Sequence, residues 1–216
     1  MSSVANKTLI QQLKKRIADK HPRALIRWGE YIPFPTGIHS LDNDLLQGGL
    51  PSGHLIEIIG SKSSGKTTLL FKILSGLSKA ENSIAYFDFP HTFYPPSAQE
   101  SGIDLKNLLV LRPKNIQFGL RAAEILFRNG GICVAVFDLV STRDRISKTM
   151  LLRLKRSVKQ AKGIGIFLRE PGSTQIQRNQ IALCLKVERL NQKLQIKTEK
   201  SLFGKETQAV ELVLNE

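Results

Sequence analysis

The chain has 216 residues, 41% of them hydrophobic, and its 32 Lys and Arg outnumber its 18 Asp and Glu to give a formal net charge of +14. This length and apolar content suffice for one α/β domain with a buried core, which excludes a disordered chain. Only 2 Cys are present, both inside apolar runs, which excludes a disulfide-built secreted scaffold. No apolar leader and no stretch of ~20 apolar residues occurs, so we expect a cytoplasmic protein that does not span a membrane.

The elements in chain order predict an α/β fold. Helical spacing of Leu9, Leu13 and Ile17 predicts an N-terminal helix, so that 1–35 is a helix with a connection and 36–216 is the core. Strands alternating with helices predict a mostly parallel sheet flanked by helices, and three β-like runs after residue 172 predict antiparallel edge strands. The predicted elements are strand 55–59, helix 66–77, strands 83–87 and 108–111, helix 117–128, strand 132–137, a basic helix within 143–162, strand 164–168, and the runs 181–187, 194–198 and 209–214.

A phosphate-binding motif follows the first core strand. The sequence GSKSSGKT from Gly60 to Thr67 is a complete G-x-x-x-x-G-K-[ST] between a strand and a helix. Its glycines let backbone N–H groups turn toward phosphates, Lys66 reaches the β- and γ-phosphate oxygens, and the Thr67 hydroxyl can ligate Mg²⁺. We therefore predict a site for ATP and Mg²⁺. The predicted nucleotide contacts are Gly60, Ser61, Lys62, Ser63, Ser64, Gly65, Lys66, Thr67 and Thr68.

A single acid supplies the predicted second metal contact. The apolar run Ile132–Phe137 predicts a strand, and Asp138 follows it directly. In a parallel sheet this position lies at the edge where the phosphate loop also lies, so we predict that Asp138 assists Thr67 in holding Mg²⁺.

The positive charge is concentrated in one part of the chain. Residues 112–205 contain 20 Lys and Arg against 6 Asp and Glu, whereas the rest has 12 of each sign. Within this segment, 143–162 has apolar residues on one side of a helical projection and cations on the other. A face of one sign favours a polyanion, here single-stranded DNA, while an ordinary solvated face is the alternative. The candidate DNA contacts are Arg145, Lys148, Lys155, Arg156, Lys159, Lys162 and Arg178.

Several segments around the phosphate loop resemble the RecA recombinase family. They are TGIHSLD at 36–42, GGLPSG at 48–53, FD at 87–88 followed by His91, and GIDLKNLL at 102–109. The resemblance implies a RecA-like P-loop NTPase core that binds ATP and DNA. It also implies an N-terminal helix that packs on a neighbouring subunit in a filament, and it puts Tyr94 where the family holds adenine.

The departures from the family pattern fall on residues that perform chemistry. The glutamate that activates water in the family is replaced by Pro90, which can neither accept a proton nor orient water, so no catalytic residue is assigned. The glutamine that senses the γ-phosphate is replaced by Glu170, whose carboxylate would repel phosphate unless it is paired, for which Arg169 is the adjacent cation. Of the two DNA-contacting loops, the first is expected to be missing and the second reduced to 171–180. The family's small C-terminal domain is also expected to be absent.

Three functions remain open from the sequence. The first is an accessory or regulatory RecA-like protein of DNA repair, with weak ATP hydrolysis and a homo-oligomeric or repair-polymerase partner. It would resemble the ImuA proteins of damage-induced (SOS) mutagenesis, although their phosphate loops are often eroded. The second is an active DNA-dependent ATPase that forms filaments on single-stranded DNA. The third is a RecA-fold ATPase unrelated to DNA.

Overall fold

The computed structural model describes residues 31–203 and 209–213, and the N-terminal helix predicted around Leu9 lies outside these residues. Four α-helices are described: α1 (Lys66–Lys79), α2 (Pro95–Glu100), α3 (Ile116–Arg128) and α4 (Lys148–Gln160). None of them is long and apolar enough to cross a membrane. The strands are β1 (Pro33–Phe34), β2 (Leu50–Pro51), β3 (His54–Ile59), β4 (Ile84–Asp88), β5 (Leu108–Leu111), β6 (Val134–Asp138), β7 (Ile164–Arg169), β8 (Leu183–Leu190), β9 (Lys193–Ser201) and β10 (Ala209–Val213).

One eight-stranded sheet organises the core, in the order β10-β9-β8-β3-β7-β6-β4-β5. The strands from β8 to β5 in this order pair parallel, while β9 and β10 pair antiparallel, which confirms the predicted α/β class. The first of the three C-terminal runs, β8, pairs antiparallel with β9, as predicted, and on its other side it runs parallel to β3, with Ile56 opposite Leu183. A parallel neighbour needs a crossover of about a dozen residues, and the connection 170–182 supplies this length.

Helices cover the sheet on both faces. One apolar cluster packs α1 and α2 against one face, and a second packs α3 and α4 against the other. In the second cluster Phe87, Phe137 and Phe167 lie opposite one another on β4, β6 and β7. Their rings stack with centroid distances of 5.0 Å and 4.9 Å. This aromatic ladder connects β4, β6 and β7, whose carboxyl ends lie at one edge of the sheet, here called the functional edge.

The basic helix is shorter than the segment 143–162 that predicted it. The helix α4 starts after Ser147, whose side chain accepts a hydrogen bond from the Met150 N–H at 3.3 Å. Arg145 therefore lies in the preceding connection and not on the helix. The helix ends before Lys162, which has a left-handed backbone with φ of 51°. The helical projection of the sequence did not locate the two ends of α4, because charge and apolar spacing carry no information about capping residues.

We expect the substitution Phe137→Ala to destabilise the fold by about 3–5 kcal/mol, because it leaves a cavity between two stacked rings. The matched control is Phe118→Ala on α3, whose side chain is 62% exposed, and this change should alter the free energy of unfolding by less than about 0.5 kcal/mol. Urea denaturation of both variants measures the difference. Equal losses would contradict the central place of the aromatic ladder.

Candidate functional site

The phosphate loop between β3 and α1 has a backbone that only glycine permits at two positions. A Cβ on Gly60 would lie 2.2 Å from Ser64 Oγ, and one on Gly65 would lie 2.3 Å from a methyl carbon of Leu194. Gly65 also has a φ of 84°, in the left-handed region that favours glycine. The loop therefore keeps its tight shape because both motif glycines lack a side chain.

Features of this loop fit a bound phosphate. The helix α1 begins at Lys66 and its N-cap residue, Gly65, provides no side-chain hydrogen bond, so the first N–H groups are open to an anion. Ser64 Oγ is buried and lacks a hydrogen-bond partner within the described residues, as expected for a group that a ligand oxygen would satisfy. Thr67 is exposed in the first turn, where its hydroxyl can meet a metal ion.

The motif lysine is held by a carboxylate. Lys66 Nζ lies 3.1 Å from Glu170 Oε1, and it also donates to the carbonyl of Ser61 at 3.1 Å. The expectation that Arg169 pairs with Glu170 is wrong, since the Arg169 guanidinium forms its ion pair with Glu57. Successive side chains at the end of a strand point to opposite faces, so residues 169 and 170 reach different partners. Glu170, which stands where the family has its glutamine, therefore pairs directly with the lysine of the phosphate loop.

Asp138 lies at the end of β6, buried beneath the same edge of the sheet. Its carboxylate accepts hydrogen bonds from the Tyr86 hydroxyl at 2.7 Å and from the Val140 N–H at 3.1 Å. Burial raises the pKa of Asp138, while these two hydrogen bonds and the charge of Lys66 act in the opposite direction. Where the chain is described, no group of three His, Cys, Asp or Glu could hold a metal. An Mg²⁺ ion held by Asp138 and Thr67 would thus depend on phosphate oxygens for further ligands.

The acid nearest to Pro90 is fully engaged in shaping its own loop. Asp88 is completely buried at the end of β4 and accepts hydrogen bonds from the N–H groups of Thr92 at 2.9 Å and Phe93 at 3.2 Å. It also pairs with Arg112 Nε at 3.0 Å. These contacts give Asp88 a structural role, and its carboxylate is not free to replace the missing glutamate.

Glu57, an acid three residues before the phosphate loop, is buried on β3 in a small polar group. Besides its ion pair with Arg169, it accepts a hydrogen bond from Cys184 Sγ at 3.2 Å. Burial, together with the charge of Glu57, raises the pKa of the Cys184 thiol, which therefore stays protonated. Glu57 thus serves to fasten β7 and β8 to β3.

The predicted adenine contact lies in an open position. Tyr94 is 63% exposed and stands at the N-cap of α2. A groove of about 900 Å³ opens beside Thr68 and runs along Lys72 and Gly76 of α1 to Glu100. Tyr94 is not among the described residues that line this groove. Its stacking on a base stays a prediction.

Four cations on α4 and one just after its end form a largely exposed surface, here called the α4 basic face and defined by Lys148, Lys155, Arg156, Lys159 and Lys162. No carboxylate of the described residues lies within 4.0 Å of any of these five cations. Lys155 is half-buried and donates to Gln180 Oε1 at 3.4 Å. Burial and the charges of Lys200 and Lys159 lower the pKa of Lys155. Arg145, in the connection before the helix, is exposed as well.

Several cations near β8 and β9 are instead paired with carboxylates. Arg178 lies 3.8 Å from Glu199, and Lys193 lies 2.9 Å from Glu211. Lys186 bonds to Glu188 at 2.8 Å. Arg178 thus has a carboxylate neighbour that the five cations of the α4 basic face lack, while Gln180 of the same turn contacts Lys155. A contact of Arg178 with DNA stays a prediction.

The comparison with known families fits this arrangement of phosphate loop, strand-end acid and sheet. Residues 30–168 match the model of the RecA N-terminal domain. The chain belongs to the RecA family. The RecA proteins of Streptomyces ambofaciens and Methylococcus capsulatus are 39% and 40% identical to it over 108 residues, which is 50% of this chain but only 29% and 31% of theirs. The matched region thus spans less than a third of these relatives.

A solved structure supports the fold over a larger part of this RecA-family chain. The crystal structure of the RadB recombinase superposes with a TM-score of 0.65, covering 82% of this chain and 94% of that one. The identity is 18%, so the likeness concerns the fold alone. The mostly parallel core with antiparallel C-terminal strands is therefore a RecA-like architecture.

The substitution Lys66→Ala should abolish binding of a fluorescent ATP analogue with Mg²⁺, since it removes the motif cation that meets the β- and γ-phosphates. The control is Lys106→Ala in the exposed turn Leu105–Asn107, which should leave the affinity unchanged. A fluorescence titration measures both. Tight binding by Lys66→Ala would refute the assignment of the phosphate loop.

Proposed function

We propose that this RecA-family chain binds ATP and Mg²⁺ and acts in DNA repair or recombination as an accessory protein with weak ATP hydrolysis. The observation that carries the proposal is a phosphate loop with its backbone shape and lysine in place, combined with Pro90 at the position of the water-activating base. Such a site is equipped to bind a nucleotide and poorly equipped to cleave it.

Different groups of the described residues would bind the phosphates and the metal ion. The N–H groups of the loop and of the first turn of α1 would bind the phosphates, and Lys66 would neutralise their charge. Thr67 and Asp138 would hold Mg²⁺, which supplies electrostatic stabilisation of the phosphate oxygens when bound. A general base typically contributes ~10²–10⁴ in rate, and neither Asp88 nor Glu57 is free to provide one.

Single-stranded DNA is the proposed polyanionic partner, and the α4 basic face is its proposed contact. The exposed cations of this face have no acid partner in the described parts of the chain, so their charge is available to phosphates. The two connections at the functional edge are short: 139–147 joins β6 to α4, and 170–182 joins β7 to β8. A helical face therefore offers more cations than these connections do.

Assembly is proposed from the family resemblance and from relatives named RecA. A homo-oligomer or filament fits that family, whereas a repair polymerase as partner fits an ImuA-like role in the SOS response. The size of the assembly can be measured with ATP and single-stranded DNA together and with each alone. This measurement separates a filament that forms with nucleotide and DNA from a protein that needs another partner to assemble.

An active recombinase is the second candidate, and the intact phosphate loop is the observation that favours it. A RecA-fold ATPase unrelated to DNA is disfavoured by the unpaired charge of the α4 basic face. The rate of ATP hydrolysis separates the first two candidates, and DNA binding separates both from the third.

We expect ATP turnover, with and without single-stranded DNA, to be about 10²–10⁴ below that of a RecA protein that has the glutamate. The physical reason is that Pro90 cannot take the proton of the attacking water. Release of radiolabelled phosphate measures the rate, and Lys66→Ala gives the background. Turnover equal to that of an ordinary RecA protein would establish the second candidate instead.

The double substitution Arg156→Gln with Lys159→Gln should weaken single-stranded DNA binding and lower its salt dependence. Each phosphate contact on a single strand contributes about 0.7 to the slope of log affinity against log salt, so the loss is about 1.4. Fluorescence anisotropy over a range of salt concentrations measures this slope.

The matched control for this experiment is Lys193→Gln with Lys197→Gln on β9, which removes the same charge from the paired strand surface. It should change the slope much less. If both double variants had the same effect, net charge and not the α4 basic face would govern binding.

A further inference from the structure

We propose that Glu170 makes the phosphate loop select a nucleoside diphosphate over the corresponding triphosphate, by holding Lys66 with a carboxylate where a γ-phosphate would bind. The inference rests on the proposed function, because it concerns the same nucleotide site. It assigns the specificity of that site to one residue, and it rests on contacts between described side chains.

The backbone around Glu170 is fixed by several hydrogen bonds. Its N–H donates to Ser173 Oγ at 3.2 Å, and its carbonyl accepts from the Ser173 N–H at 3.1 Å and from the Ser173 hydroxyl at 2.7 Å. Arg169 Nη1 donates to the same carbonyl at 3.3 Å. Just before it, the Arg169 carbonyl accepts from the Gly60 N–H at 3.3 Å, which joins the end of β7 to the start of the phosphate loop. Glu170 is therefore positioned at the loop by the fold.

The carboxylate and the lysine meet away from bulk water. The side chains of Lys66 and Glu170 are 7% and 23% exposed, so their charges are screened less than those of a surface pair. The buried carboxylate of Asp138 lies at the same edge, and the charge of Lys66 acts on it as well. Lys66 is therefore already paired with a carboxylate before any phosphate binds.

The two nucleotides make different demands on this arrangement. Lys66 can reach both the β- and the γ-phosphate, but a β-phosphate is also bound by the loop N–H groups and the start of α1, and these are open whether or not Lys66 is paired. A γ-phosphate needs Lys66 and would bring its negative charge against Glu170 in a poorly screened place. A triphosphate must therefore displace the carboxylate from Lys66, whereas a diphosphate can leave the pair intact. A neutral glutamine at this position would impose no such repulsion.

The experiment compares ADP with a non-hydrolysable ATP analogue, both with Mg²⁺, by isothermal titration calorimetry. The unmodified chain should bind ADP at least about tenfold more tightly than the ATP analogue. Glu170→Gln should tighten binding of the analogue by about tenfold and change that of ADP by less than about twofold. The matched control, Glu188→Gln on β8, removes an equal charge from a carboxylate that faces Lys186 and Lys197, and it should leave both affinities unchanged.

The outcomes separate the inference from the proposed function. Equal affinity of the unmodified chain for the two nucleotides would overturn the inference and leave the nucleotide site standing, and this measurement needs no variant to fold. An equal change for both nucleotides on Glu170→Gln would also overturn it. If neither the unmodified chain nor Glu170→Gln bound either nucleotide, the proposed nucleotide site itself would be wrong. A second variant, Glu170→Ala, should shift the preference in the same direction as Glu170→Gln.

Discussion

Parallel pairing of β3 with β7, and of β7 with β6, is the constraint on which the site depends. Because parallel strands end at the same edge, this pairing brings together the phosphate loop after β3, Glu170 after β7 and Asp138 at the end of β6. The stacked rings of Phe87, Phe137 and Phe167 fill the space beneath α3 and α4 and keep these strands in register. The chemistry of the edge therefore follows from a strand order that the aromatic layer helps to stabilise.

Much of this edge could be predicted from local sequence, for a physical reason. A phosphate loop is built from consecutive residues, so its glycines, Lys66 and Thr67 can be recognised as one motif. Asp138 can be recognised because it directly follows an apolar strand. The Lys66–Glu170 pair could not be found in this way, since the two residues are 104 positions apart. Proximity in sequence favoured Arg169 as the partner of Glu170, but the alternation of side chains along β7 directs Arg169 to Glu57.

The same limit applies to the positive charge. Counting residues located the excess between 112 and 205, and the structure divides that segment into two surfaces of different character. On β8 and β9, Lys186 and Lys197 lie near Glu188 and Glu199, which neutralises part of the positive field there. On α4, Arg153 pairs with Glu124, but no carboxylate of the described chain lies within 4.0 Å of the cations of the α4 basic face, so the field of that face remains. Composition therefore located the cationic segment, and pairing with acids across strands decides which of its cations have a carboxylate neighbour.

The two departures from the family pattern act on the same chemical group. Pro90 stands where the family has the base that activates the water attacking the γ-phosphate, and Glu170 pairs with the lysine that would bind this phosphate, whereas the glycines and the start of α1 that would bind the β-phosphate are retained. If only the base were missing, a bound triphosphate would persist uncleaved. With Glu170 also in place, the proposed resting ligand is the diphosphate, and its binding would stabilise the folded chain by an amount that rises with the logarithm of its concentration relative to its Kd. The helix α4 packs against β3 and β7, whose ends carry the loop and Glu170, so the nucleotide edge and the α4 basic face are built on the same two strands.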